Sequence, residues 1–382
     1  MVEPAAVLIA AASGRALAAS ARRAGYAPLA VDFFADDDTR EVAESCLRLE
    51  DGVARGFQLP SLMAACERLA EGRTLAGVVY GSGFEDRPAL IEAMAKRWRL
   101  IGNPASIVSR LKDPLIFADL CREVAVPHPE TRLERPADPW RWLARRRVGS
   151  GGGHIRSAEA DPAADTETYF QRRVDGRPVS ALVLADGARC AILGFSEQWA
   201  QEGRCFRFAG AAQPAAIPVS VEQALAAAVG RFCARTPLVG LNSFDFLASN
   251  EGFWLLEVNP RPGATLDIFE PEHAPSLFAL HVAACQGGLE PTPRLERASA
   301  TQIVYAPCEI ASTPRFAWPR WARDRQPAGS AVAEGDPFCT VVAGGATAAD
   351  ARRELTQRAA TMESSIRSSI RTRAASTPNG EG

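Results

Sequence analysis

The chain has 382 residues, 47% of them hydrophobic and 23% charged, a composition that excludes wholesale disorder and leaves room for two or three domains with cores of their own. Its 43 basic and 45 acidic side chains leave a net charge of -2, so bulk electrostatics offers nothing to nucleic acid or an anionic membrane. Nine scattered cysteines, an odd number without a CxxC pair, suggest neither a disulfide framework nor a zinc site. No apolar run reaches membrane-helix length, and acidic Glu3 does not suit a signal peptide. The expectation is a cytoplasmic protein with no nucleic-acid or membrane partner, whose composition is compatible with a homo-oligomer.

Strand and helix signals alternate at first: a strand at 5–11, a helix at 15–24, a strand at 27–33, a helix at 59–69, a strand at 76–80 and a helix at 88–97. That order predicts a parallel sheet, with ligands beyond the strand C-terminal ends, where Gly81-Ser82-Gly83-Phe84-Glu85 lies. A helix at 114–123 precedes a run ending in Arg145-Arg146-Arg147, and then Gly149-Ser150-Gly151-Gly152-Gly153-His154. So glycine-rich a loop either turns its backbone N–H groups onto a phosphate or is a flexible hairpin connection. Strands at 169–174, 179–185 and 190–196 read as one antiparallel sheet. A helix at 221–235, a hairpin over 240–258, a helix at 276–285, strands at 302–306 and 338–342 and a helix at 348–370 complete the chain, ahead of a Ser/Thr/Pro/Gly tail.

The hairpin carries the chemistry. Leu241-Asn242-Ser243-Phe244-Asp245-Phe246-Leu247 and Phe253-Trp254-Leu255-Leu256-Glu257-Val258-Asn259 flank Ser249-Asn250-Glu251-Gly252. A three-residue turn at 250–252 sets Asp245 opposite Glu257, whereas a four-residue turn shifts the pairing by one. In the first register Asp245, Glu257 and Asn259 share a face. Two carboxylates on one apolar face repel unless a cation joins them, and all-oxygen ligands indicate Mg2+ or Mn2+. Arg261 stands just beyond, placed to grip a phosphoryl oxygen. The alternative is a plain edge hairpin whose polar side faces solvent.

Glu257-Val258-Asn259-Pro260-Arg261-Pro262, with Asp245 after Gly240-Leu241-Asn242, resembles the metal-binding strands of the ATP-grasp superfamily. The resemblance is to its carboligase branch, related to biotin carboxylase and to tyramine–glutamate ligase of methanofuran synthesis. It implies an α+β fold: an N-terminal α/β parallel-sheet domain (1–105), two ATP-grasp lobes (106–175 and 176–290), a small strand-containing C-terminal lobe with a helix (291–370) and a disordered tail (371–382). It also implies that Lys112 in Arg110-Leu111-Lys112-Asp113-Pro114 and Arg145, replacing a second lysine, meet phosphates alongside Gly149, Ser150, Gly151, Gly152 and Gly153. Arg146 is close enough to compete with Arg145 for that place. Gln171-Arg172-Arg173-Val174-Asp175-Gly176 resembles the adenine and ribose hinge, with Gln171 and Asp175 as contacts and without the usual acid after Gln171. Ser180 matches a recurring position whose role the sequence does not disclose.

The activity so implied is an ATP-dependent ligase that phosphorylates a carboxylate, with Lys112 and Arg261 catalytic and Asp245, Glu257 and Asn259 holding Mg2+. An amine then attacks the acyl phosphate, forming a carbon–nitrogen bond with release of ADP and phosphate. Its substrates are a small carboxylate and an amine, glutamate or another amino acid among them, in a methanofuran-like cofactor synthesis. The alternatives are a bicarbonate-using carboxylase working through carboxyphosphate and a non-catalytic nucleotide-binding subunit. No catalytic base stands out, and the four scattered histidines suggest local roles.

Overall fold

The computed structural model describes residues 4–147, 151–160, 167–273 and 275–375. The expectations for Gly149, Ser150 and residues 376–382 of the tail fall outside them, whereas residues 371–375, expected to begin the tail, continue the last helix. The N-terminal strands form a parallel sheet in the order Ser45–Arg48, Ala27–Asp32, Ala6–Ala10, Leu75–Tyr80. Ala6–Ala10 is buried along its whole length because both faces of the sheet are covered. Leu8 and Ala10 point toward the helices Leu59–Ala70 and Pro88–Arg97, while Val7 and Ile9 point the other way.

That second face has no core to itself. Val7 and Ile9 share a cluster with Leu182, Leu184 and Leu241 of another sheet, and the helix Leu277–Cys285 supplies Leu277, Phe278 and Leu280 to it. This helix is apolar on nearly every side because it is sandwiched between two sheets.

The larger sheet is antiparallel and eight-stranded: Phe253–Asn259, Val239–Ala248, Arg177–Asp186, Cys190–Gln201, Arg204–Gln213, Ala298–Tyr305, Pro337–Gly345, Ala322–Arg323. Its C-terminal strands therefore extend the sheet that carries the carboxylate hairpin. The helix Ala348–Ala375 covers that end through Ala351, Leu355, Ala359, Met362 and Ile366, spaced about one turn apart. Arg204–Gln213 escaped the sequence reading because RCFRFAGAAQ is poor in β-formers; pairing with Cys190–Gln201 makes it a strand.

A third sheet, ordered Thr131–Arg132, Thr168–Arg172, Trp142–Arg146, Ile155–Ser157, overturns one expectation. The strand near 169–174 does not join the two that follow it. It pairs with Trp142–Arg146 and Thr131–Arg132, and residues 173–176 carry the chain across to the large sheet. Alternating apolar residues fit either sheet equally well, so the choice of partner is tertiary.

Candidate active site

The observed hairpin joins both readings of its register. The turn has four residues, closed by Ser249 N–H donating to Gly252 O at 2.8 Å, and Ala248 pairs with Phe253. A bulge at Leu256 then takes up one residue, so that Asp245 faces Glu257 after all. Asn259 donates from Nδ2 to Asp245 Oδ2 at 2.9 Å and to Glu257 Oε1 at 3.2 Å. Ser180, next door on Arg177–Asp186, donates its hydroxyl to Asp245 Oδ1 at 2.6 Å, which supplies the role the sequence withheld.

Lys112 ends the helix Ala105–Lys112, because Pro114 disfavours helical backbone at Asp113 and Asp113 instead caps the next helix by accepting from Leu115 and Ile116 N–H. Released there, its ammonium group donates to Asn259 Oδ1 at 2.7 Å and lies 3.8 Å from Glu257. Arg145 arrives from the small sheet. Trp142 and Ala144 pack with Phe170, so Arg145 takes the opposite face and is buried, while Arg146 is exposed. Its guanidinium donates to Gln171 Oε1 at 2.7 Å and to Glu257 Oε2 at 3.3 Å. Gln171 is thus brought to the site by holding Arg145, whereas Asp175 is exposed on the link to the next strand.

Arg261 is expected from the sequence to grip a phosphoryl oxygen. In the structure it is clamped by Glu85, with Nε 2.7 Å and Nη2 2.5 Å from Oε1. Glu85 also accepts from the Gly83 and Phe84 N–H groups and is 7% exposed. Glu85 was missed as a site residue, although its place after the strand Leu75–Tyr80 was the available signal. Asn103 was missed as well. It donates to Val239 O, Pro260 O and Asn242 Oδ1 and accepts from Val239 N–H, tying the base of the hairpin to the N-terminal domain.

Of the glycines, Gly151, Gly152 and Gly153 are described. They turn the hairpin between Trp142–Arg146 and Ile155–Ser157 and dock on Arg204–Gln213, where Phe208 N–H donates to Gly151 O at 3.0 Å. Gly152 has φ +79°, and a Cβ there would lie 1.6 Å from Phe206 O, so close an approach admits only glycine. His154 follows, half-buried, with Nδ1 lacking a hydrogen-bond partner among the described residues. Burial, then Arg145, pushes its pKa down to about 4.

The two carboxylates are driven apart. Burial, then the Glu257 charge, pushes Asp245 up to about 6. Burial pushes Glu257 the same way, but Lys112 and Arg145 outweigh it and hold Glu257 well below the usual carboxylate range. Two facing carboxylates suit a hard oxygen-seeking cation, whereas Asn259 turns its Nδ2 to them and its oxygen to Lys112, so its amide has to flip to join them as a ligand. Among the described residues no three His, Cys, Asp or Glu side chains are arranged to hold a metal ion. The two carboxylates fit Mg2+, which commonly takes one or two carboxylates from a protein and fills the rest of its shell from other oxygen donors.

The comparisons with known proteins agree with this architecture. Residues 113–265 match the ATP-grasp domain family. No curated protein matches the sequence. Among solved structures, a biotin carboxylase from Campylobacter jejuni in complex with β,γ-ATP superposes with TM-score 0.68 at 16% identity, over 89% of this chain and 87% of that one. The biotin carboxylase domain dimer of 2-oxoglutarate carboxylase from Hydrogenobacter thermophilus, in complex with MgADP, ADP and bicarbonate, gives 0.69 at 14%, over 89% and 86%. N5-carboxyaminoimidazole ribonucleotide synthetase from Thermus thermophilus gives 0.65 at 19%, over 88% and 92%. The chain has the ATP-grasp fold, with an N-terminal α/β sheet and a strand-rich C-terminal region. No helix among the described residues is long and apolar enough to cross a membrane.

Proposed function

We propose that this chain is an ATP-dependent enzyme that phosphorylates a small carboxylate, bicarbonate first among candidates, releases ADP, and passes the activated carboxyl group to an acceptor nucleophile. The observation that carries this reading is the convergence of Lys112 and Arg145 on the Asp245–Glu257–Asn259 face. The fold likeness to biotin carboxylases and to a carboxyaminoimidazole ribonucleotide synthetase supports bicarbonate over an amino acid as the first substrate.

Asp245, Glu257 and Asn259 are assigned to Mg2+, which when bound neutralises charge on the β- and γ-phosphates. Lys112 and Arg145 stabilise the remaining phosphate charge, and the segment from Gln171 to Asp175 is assigned to adenine and ribose. A bicarbonate oxygen attacks the γ-phosphorus, the bond to the β-bridging oxygen breaks, and ADP departs, leaving carboxyphosphate. The acceptor attacks its carbonyl carbon and expels phosphate. Catalysis of such a transfer is positioning and electrostatics, which the clamped Arg261 provides for the new anhydride. Docking of the glycine hairpin shields the anhydride from water.

The test is ADP release from Mg-ATP with bicarbonate, or with glutamate plus an amine such as tyramine. Bicarbonate-dependent release that falls about a hundredfold or more in Glu257→Ala is the expected result. Release only with glutamate and an amine would replace bicarbonate by the carboxylate–amine ligase of a methanofuran-like synthesis. Tight ATP binding with no release under either condition would leave a nucleotide-binding scaffold.

A further inference from the structure

Arg204 and Arg207 begin the strand Arg204–Gln213, against which the glycine hairpin docks. The Arg207 guanidinium carbon lies 4.0 Å from the centre of the Tyr305 ring. Tyr305 is itself fixed, its hydroxyl donating to Phe208 O at 2.5 Å. Both arginine tips converge on Gly335, with Arg204 Nη2 3.5 Å and Arg207 Nη1 3.7 Å from the point where a side chain would begin there. Glu202, Glu334 and Asp336 are close in sequence, yet neither arginine forms an ion pair with a carboxylate among the described residues.

Two guanidinium groups gathered at one point without a counter-charge repel each other. Stacking on Tyr305 holds one fork in place, and the missing side chain at Gly335 leaves the space beside both forks open. Such an arrangement suits a carboxylate or phosphate, which accepts paired hydrogen bonds from guanidinium forks. Phe208 N–H meets Gly151 O, and that hairpin leads within a few residues to His154, which feels the charges of Glu257 and Lys112. The strand that begins with these two arginines, Arg204 exposed and Arg207 half-buried, thus also carries at Phe208 the docking point of the glycine hairpin.

We propose that Arg204, Arg207 and Tyr305 recognise an anionic group, carboxylate or phosphate, on the acceptor substrate, remote from the atom that attacks the activated carboxyl. This rests on the acyl-phosphate reading above. The experiment is isothermal titration of inorganic phosphate, glycerol 3-phosphate and glutarate into protein saturated with Mg2+ and a non-hydrolysable ATP analogue. Saturable binding of at least one anion, weakened about tenfold or more in Arg204→Gln/Arg207→Gln and partly restored in Arg204→Lys/Arg207→Lys, is expected. The phosphate and dicarboxylate arms identify which anion is preferred. Absence of saturable binding by the wild type, or equal binding by the folded double Gln variant, overturns the proposal. Failure of the ATP analogue itself to bind would instead refute the underlying nucleotide reading.

Discussion

Glu85 decides what Arg261 can do. A free arginine beside the Asp245–Glu257 face would sample many rotamers, and a buried carboxylate removes that freedom by holding two of its nitrogens. Arg261 and Lys112 in turn keep the Glu85 carboxyl below its ordinary range even though burial favours the neutral form. Glu85→Gln retains shape but removes the charge that orients Arg261. ADP release is expected to fall about tenfold or more with little change in ATP affinity, because the loss is one of positioning. Unchanged turnover in a folded variant would show that Arg261 needs no clamp. Ser180 acts at the same scale: its hydroxyl donates to Asp245, a role that the resemblance marked by position but did not disclose.

Among the elements, the helix Leu277–Cys285 has the most exacting place, between the two large sheets. His281 fastens it. Nδ1 accepts from Leu241 N–H at 2.9 Å, which leaves the proton on Nε2, facing Ile101 O at 3.1 Å. Gly240 permits the approach, since a Cβ there would stand 2.3 Å from Nδ1. Burial pushes the ring down to about 4, and protonating Nδ1 would set two donors against each other. The folded chain binds fewer protons at this ring than the unfolded chain, whose histidine titrates near 6.5. The stabilisation is therefore full above about pH 6.5 and is lost as pH falls toward about 4, up to about 3 kcal/mol. Urea unfolding at several pH values should show a shallower acid loss in His281→Gln than in the wild type. Identical slopes would assign the acid sensitivity to other groups.

For the whole molecule, the salient contact is Arg15, buried where three parts of the chain meet. It donates to Asp267 beyond the hairpin at 2.7 Å and to Asp324 of the C-terminal region at 2.9 Å, and lies 3.7 Å from Asp38. Together with the shared core of Val7, Ile9, Leu184 and Leu241, this fixes the N-terminal sheet against the large sheet and hence Glu85 against Arg261. Arg15→Ala leaves buried carboxylates without their counter-charge. A loss of about 3–5 kcal/mol in unfolding free energy is expected, as for other broken buried pairs. A urea midpoint equal to the wild type would remove Arg15 from this role.

The residues by themselves determined the local and periodic features. These were the parallel N-terminal sheet, the helix after Lys112, and the paired strands that set Asp245 opposite Glu257. Each depends on side-chain period or turn chemistry, which neighbours in sequence already contain. Tertiary structure alone decided that the strand Thr168–Arg172 leaves the large sheet, that a bulge at Leu256 rescues the carboxylate register, and that Arg145 rather than Arg146 turns inward. It alone closed Glu85 on Arg261, Ser180 on Asp245 and Asn103 on the base of the hairpin. Their roles arise from contacts across large sequence separations, and a chain of amino acids carries no local mark of the partner on which a polar group will close.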